Sequence, residues 1–372
     1  MGGARGEGRR LSDRALGAII VGSLLGACLL FVGGSILAFR LGRAADFRAQ
    51  ERRLAAYRAS APAASLSLAA DLALPDAASL DSLRYLATHN SYRRASGRLR
   101  LFYIGLAEPG WPARLAYSHP ALRAQLESGI RSFELDIRAR KGGDFVLAHV
   151  PLVDDRSDDP SLTLALEEMA LWSDRNPGHV PVILLLEIKD DYSFLDPSLA
   201  PVDAAALDRL DAALRAGLGR RLVEPDRVRG GAASLRDALR ERGWPRLGEL
   251  RGTFVVVIHE DERYRSLYTA GGKNLEGRAA FDCAPPGEPD QAFAILNEPG
   301  ADAGRIRAAL GSRVMVRTRA DADLALGGLE AALASGAQIV STDFPPGAPG
   351  PGGYIAALPG GATLDVAGGA RP

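Results

Sequence analysis

Residues 81 to 346 predict a (β/α)8 barrel, the TIM-barrel class of α/β fold. Three observations carry this expectation. Short apolar runs of strand length recur through the segment, stretches of helical period lie between most of them, and polar residues collect at the C-terminal ends of the early runs. Such a barrel typically takes about 250 residues. A doubly wound parallel sheet has the same alternation and stays open as the competitor. No GxGxxG follows an early strand, so the dinucleotide-binding version of that sheet finds no support.

The elements divide the 372 residues in order. Residues 1–14 carry Arg5, Arg9, Arg10 and Arg14 and suit a cytoplasmic N-terminus. Ala15 to Phe39 is an uncharged run of 25 residues, long enough to cross a bilayer as a helix. A cleaved signal peptide would have an apolar region of only about 7–15 residues, so an uncleaved transmembrane anchor is the expectation. Arg40, Arg43, Arg48, Arg52 and Arg53 follow the run, which weakens the charge signal for orientation. Residues 40–80, rich in Ala, Ser, Arg and Leu, read as a juxtamembrane spacer, and 347–372, rich in Gly, Pro and Ala, as a flexible tail.

Within the barrel segment the strand candidates are 83–89, 131–138, 144–149, 181–188, 253–259, 292–297, 313–318 and 338–342. A helix is expected to start at Ser118–Pro120 and end near Gly129. Ser161 caps "LTLALEEMALWSDRN", which stops at Pro177-Gly178. "VDAAALDRLDAALRAGL", "SLRDALRERG", "DAGRIRAALG" and "DLALGGLEAALASG" each close at or near a Gly.

Lys plus Arg equals Asp plus Glu at 45 each, which gives nucleic-acid binding no electrostatic footing. Cys28 and Cys283 are far apart, so neither a disulfide framework nor a thiolate metal site is supported.

The chemistry concentrates in "ATHNSY" (87–92), "FELDI" (133–137), "VLAHV" (146–150) and "LLLEIKD" (184–190). Each places polar groups at the C-terminal end of one of the first four expected strands, the edge where barrel active sites are built. His89, Asn90, Glu134, Asp136, His149, Glu187 and Lys189 are therefore expected to converge. Side chains two apart on a strand share a face, which pairs Glu134 with Asp136 and Glu187 with Lys189. Carboxylates and an Asn amide oxygen are hard ligands suited to Ca2+ or Mg2+. The two histidines can exchange protons near neutral pH. One buried acid pair is as readily structural, and one histidine alone is more often structural than catalytic; the whole set at one edge is expensive unless used. His119 and His179 read as structural or solvated. His259, Arg317, Arg319 and Asp343 reach the same edge, with Arg317 either a phosphate ligand or the ion-pair partner of Asp343.

These fragments resemble the phosphatidylinositol-specific phospholipase C superfamily. "THNSY", "GIRSFELDIR", the His149 strand and "VPVILLLEIK" look like the catalytic half of calcium-dependent phosphoinositide phospholipases C. "VRTRADAD…ASGAQIVSTDFPP" is similar to the bacterial branch. The resemblance implies a phospholipase C-like barrel that cleaves a phospholipid headgroup phosphodiester, with Ca2+ rather than Mg2+ held by Asn90, Glu134, Asp136 and Glu187. It implies that His89 stabilises transition-state charge, that His149 acts as general acid, and that Glu134 or Asp136 helps deprotonate the attacking hydroxyl. Lys189 and Arg317 are the candidate substrate-binding residues.

With the N-terminal run, the expectation is a single-pass bacterial membrane protein whose catalytic domain is extracytoplasmic and whose partners are its lipid substrate and the membrane. Two other readings compete. A glycerophosphodiester phosphodiesterase shares the layout but usually shows His-Arg-Gly where this chain has His89-Asn90-Ser91. An inactive envelope binding module would have no need of the intact set. "RRASGRLRLFYIGLAEPGWPARLAY" reads as a lid or as a membrane-touching loop.

Overall fold

The computed structural model describes residues 12–259, 262–270, 272 and 274–366. The expected N-terminal segment up to residue 11, and the last six residues of the expected tail, lie outside these. The strands are β1 (Leu83–Thr88), β2 (Ser132–Ala139), β3 (Phe145–Leu147), β4 (Val182–Ile188), β5 (Leu222–Val223), β6 (Phe254–Ile258), β7 (Phe281–Asp282), β8 (Phe293–Ile295), β9 (Met315–Arg319), β10 (Ile339–Thr342) and β11 (Leu364–Val366). Parallel ladders run β7–β6–β4–β2–β1–β10–β9–β8, a sheet curled into the expected barrel. No ladder joins β7 to β8 among the described residues, so the barrel is open at that seam.

One strand expectation needs correction, and one barrel strand has no counterpart among the expected ones. The run 144–149 is not a barrel strand: β3 turns back antiparallel on β2, pairing Ile137 with Leu147 and Ala139 with Phe145. The reason is chain length. Only Arg140 to Asp144 separate the two strands, whereas a parallel connection needs about a dozen residues. The stave that fills the barrel instead is β7, a two-residue strand on β6 that has no apolar run of its own.

The staves alternate faces. On β2, Phe133, Leu135 and Ile137 pack outward against the helices, as Val182, Leu184 and Leu186 do on β4. Inward, Tyr85, Ile183, Leu185, Val255, Val257, Met315 and Ile339 fill the lower barrel. The same inward faces, followed toward the C-terminal ends, become His89, Glu134, Asp136, Glu187, His259, Arg317, Arg319 and Asp343. The interior is therefore apolar below and charged above.

Helices α1 (Asp13–Ala59), α2 (Leu68–Leu72), α3 (Arg98–Ala107), α4 (Trp111–Arg114), α5 (Leu122–Glu127), α6 (Leu162–Arg175) and α7 (Ala204–Leu218) precede the shorter C-terminal ones. Ser161 caps α6 through its hydroxyl and Asp203 caps α7, whose C-terminal Gly219 turns out with φ +53°. The helix expected from Ser118 begins only at Leu122.

Residues 40–59 continue the apolar segment as one helix and pack on the barrel. Gln50 exchanges two hydrogen bonds with the Ser161 backbone at 3.0 and 2.9 Å, and Arg94 and Arg156 both bind Asp46. Residues 347–366 are likewise attached to the barrel, because β11 pairs antiparallel with Leu83–Tyr85 at the start of β1, ahead of the stretch that β2 joins.

Candidate active site

The turn after β1 sets the first two groups. Asn90 has φ +45°, a left-handed conformation that Asn tolerates better than most residues. The turn is held by Ser91 N–H donating to the Glu134 carbonyl at 2.8 Å and by Arg93 N–H donating to the Asn90 carbonyl at 2.8 Å. It aims Asn90 into the barrel mouth, where its Nδ2 donates to the Tyr117 hydroxyl at 3.0 Å. His89 Nδ1–H donates to Asp343 Oδ1 at 2.7 Å, and Arg319 binds the other oxygen of Asp343 at 3.0 Å. Burial, then Arg319, pushes the His89 imidazole well below its usual pKa.

β2 and β4 supply the acids. Asp136 stands directly across from Glu187 in the ladder register. Both Asp136 carboxylate oxygens and Asn90 Oδ1 are buried without a hydrogen-bond partner among the described residues. Burial, then the Glu187 charge, pushes the Asp136 carboxyl up to about 7. Lys189 Nζ reaches Glu187 at 2.5 Å, and Asp136 and Glu187 together raise its pKa against its burial. Glu134 lies deeper, ion-paired with Arg317 through Oε2, while its Oε1 is 3.9 Å from His259 Nε2. Glu134, Glu187 and His259 can each bring one ligand atom within 4.8 Å of the others.

His149 arrives by the hairpin. β2 overshoots the barrel rim and β3 returns alongside it, with Ala148 N–H donating to the Asp136 carbonyl at 3.2 Å. His149 Nδ1–H donates to Asp154 Oδ2 at 2.9 Å. Although burial opposes ionisation, Arg93 and His149 hold the Asp154 carboxyl well below the carboxylate range. The Trp111 ring stacks on the imidazole with centroids 6.1 Å apart.

His89, Asn90, Asp136, His149, Glu187, Lys189 and Asp343 line one cavity of about 190 Å3, together with Trp111, Tyr117 and Arg319. The convergence expected of the four fragments is what the structure shows, except that Glu134 sits beneath the cavity wall. Arg317 is not on the wall either: it is buried against Glu134 and Asn297, while Arg319 faces the cavity and takes Asp343. Asp154, Tyr117 and Trp111 were not singled out from the sequence as site residues.

The model of Ca2+-dependent phosphoinositide phospholipase C matches residues 78–148 and 143–367, more than half of the chain. The chain belongs to that family. Its fold agrees with two solved bacterial structures of calcium-dependent phosphoinositol-specific phospholipases C. The Pseudomonas sp. structure superposes with TM-score 0.55 at 15% identity, covering 82% of this chain and 99% of its own. The Streptomyces antibioticus structure gives TM-score 0.52 at 18% identity, covering 72% and 95%. At these identities the likeness bears on the fold alone. No curated protein matches the chain by sequence.

The phospholipase C family is Ca2+-dependent, and the donor set fits that ion. Three buried oxygens without partners, on Asn90 and Asp136, beside the Glu187 carboxylate, form a hard, anionic pocket in which a cation relieves both desolvation and repulsion.

Proposed function

We propose that the protein is a membrane-anchored, Ca2+-dependent phospholipase C that cleaves the headgroup phosphodiester of a phosphoinositide. The observation that carries this reading is the trio of unsatisfied oxygens on Asn90 and Asp136, flanked by two histidines that each lean on a carboxylate. Asn90, Asp136, Glu187 and the Glu134 oxygen not held by Arg317 would hold the Ca2+, which supplies Lewis-acid neutralisation of a phosphoryl oxygen.

The chain's own groups divide the remaining work. Asp343 fixes the His89 ring through Nδ1, which leaves Nε2 facing the phosphate, where it donates to a phosphoryl oxygen once the negative charge of the bound phosphate has drawn a second proton onto the ring. Asp154 fixes His149 in the same way, so His149 Nε2 gives its proton to the diacylglycerol oxygen as the P–O bond breaks. Asp136 accepts the proton of the attacking hydroxyl. Lys189 and Arg319 offer cationic contacts to the phosphate at the cavity wall. His89-Asn90-Ser91 argues against the glycerophosphodiesterase reading.

α1 contains a window apolar enough to cross a membrane and not buried against the rest of the chain. We read residues 15–39 as a single-pass anchor in a bacterial membrane, with the catalytic domain extracytoplasmic. The test is incubation of the full chain with vesicles containing phosphatidylinositol, with Ca2+ or with chelator, and separately with glycerophosphodiesters. Diacylglycerol release that requires Ca2+ is expected. Glycerol phosphate release, or no turnover of either, overturns the assignment.

A further inference from the structure

The anchor helix and the active site are joined by a continuous series of contacts. The Tyr103 hydroxyl of α3 donates to Ser35 Oγ of α1 at 3.1 Å, and the Tyr103 ring lies between Phe31 and Phe39, with centroids 6.3 and 5.9 Å away. Arg100, one turn earlier, donates to the Phe39 carbonyl at 3.0 Å with its guanidinium 4.5 Å over the Phe39 ring. α3 then abuts α4 so closely that a Cβ on Gly105 would stand 3.2 Å from Pro112 Cγ. Trp111, beside that proline, stacks on His149.

Depth follows from helix geometry. At 1.5 Å per residue, roughly 20 residues cross a hydrocarbon core of about 30 Å. Counted from Ala15, the core ends near Gly34, so Ser35 and the Tyr103 bonded to it fall at its boundary. α3 also carries an exposed apolar face beside the one that contacts α1. Leu99, Phe102 and Leu106 share it at helical spacing and are 36%, 52% and 68% exposed. Arg40 and Arg98, at the level of the headgroups, are exposed and suit an anionic surface.

We propose that α3 lies in the surface of the bilayer that α1 crosses, with Leu99, Phe102 and Leu106 at the headgroup–acyl boundary. The catalytic mouth then opens onto the leaflet beside its own anchor, and the enzyme draws substrate from its own membrane. The α1–α3 brace sets the height of the mouth, which a flexible tether would leave free. The inference rests on the reading of residues 15–39 as a membrane span, and the experiment separates the two.

The full chain carrying Cys28→Ser is placed in phosphatidylcholine–phosphatidylinositol vesicles. An environment-sensitive fluorophore is attached at Phe102→Cys or, in a second protein, at Leu24→Cys, and doxyl-labelled phosphatidylcholine quenches at shallow or deep positions. The expected result is a blue shift of the Phe102→Cys probe with loss of intensity mainly to the shallow quencher, and loss at Leu24→Cys mainly to the deep one. Quenching at Leu24→Cys without quenching at Phe102→Cys overturns the docking of α3 and leaves the anchor standing. Quenching at neither overturns both. Leu106→Cys supplies the same reading if the Phe102 variant does not fold.

Discussion

His149 Nδ1 stands 2.9 Å from Asp154 Oδ2, and both oxygens of that carboxylate are also bound by Arg93, at 3.1 and 2.7 Å. Asp154 is thus held rigidly by a buried guanidinium and in turn holds the imidazole by one nitrogen. His149→Ala is expected to leave Ca2+ binding intact and to lower kcat by roughly 10²–10⁴, the usual contribution of a positioned acid or base. Asp154→Asn should lower kcat while also destabilising the fold by about 3–5 kcal/mol, because Arg93 keeps a buried charge without its partner. Paired calorimetry, turnover and urea unfolding check both. Unchanged turnover in His149→Ala removes that residue from the mechanism.

The Asp136–Glu187 pair predicts how the metal affects stability. In the Ca2+-free protein the two carboxylates face each other across adjacent strands, and among the described residues none donates a hydrogen bond to Asp136. Free Ca2+ at about 100 times its Kd should stabilise the wild type by roughly 2.7 kcal/mol. Asp136→Asn and Glu187→Gln should lose most of that gain. In chelator Asp136→Asn should be at least as stable as the wild type, since the repulsion is gone, whereas Glu187→Gln should be less stable because Lys189 loses its ion-pair partner. Urea midpoints with Ca2+ and with chelator test this. A variant that keeps the full Ca2+-dependent shift does not belong to the ligand set.

The inward alternation made much of this site legible. In "ILLLEIK" the inward face runs Ile183, Leu185, Glu187, and in "FELDI" the two acids fall on the face opposite Phe133, Leu135 and Ile137. What the sequence hid was choice among equals. Asp154, Asp155, Asp158 and Asp159 crowd one loop, and only three-dimensional neighbours assign them to Arg93, Arg100, Arg94 and Arg53 respectively. Arg317 and Arg319 share a face in the same way. Ladder register decides between them: Arg319 is level with Ser341, two residues short of Asp343, while Arg317 is level with Ile339, lower in the barrel and within reach of Glu134. The hairpin at 140–144 was readable from its length, whereas β7 had too few residues to show a pattern.

Residues 60–80 are more than a passive link. Asp71 of α2 accepts from Arg131 Nε at 2.8 Å, from its Nη2 at 3.1 Å and from the Val180 N–H at 3.0 Å, all buried. The Arg131 guanidinium also lies 4.8 Å over the Trp172 ring. Removing the carboxylate leaves a buried Arg unpaired, which typically costs about 3–5 kcal/mol. A protein beginning at residue 80 should therefore be less stable than one beginning at residue 60 by about that amount, and Asp71→Ala in the longer protein should reproduce the loss. Equal urea midpoints for the two truncations contradict the role assigned to Asp71.

His179 gives the protein an acid-side sensitivity far from the metal ligands. Its ring is fully buried between Trp172 and Phe254, Nδ1–H donates to the Val180 carbonyl at 2.6 Å, and Nε2 accepts from the Ser173 hydroxyl at 2.8 Å. Burial pushes its pKa down to about 4, against about 6.5 in the unfolded chain. The unfolded state therefore binds more protons between those values. Stability is complete above pH 6.5 and falls as the pH drops toward 4, with about 2 kcal/mol lost from this residue between pH 7 and pH 5. His119, also buried with a pKa of about 4 and with Nε2–H donating to the His89 carbonyl at 3.0 Å, should add to the slope. His179→Asn keeps a donor for Val180 but cannot titrate. It should lower stability at pH 7 and flatten the decline toward pH 5, measured by urea midpoints across that range in chelator. An unchanged slope would mean that His179 takes up its proton in the folded protein at the same pH as in the unfolded chain.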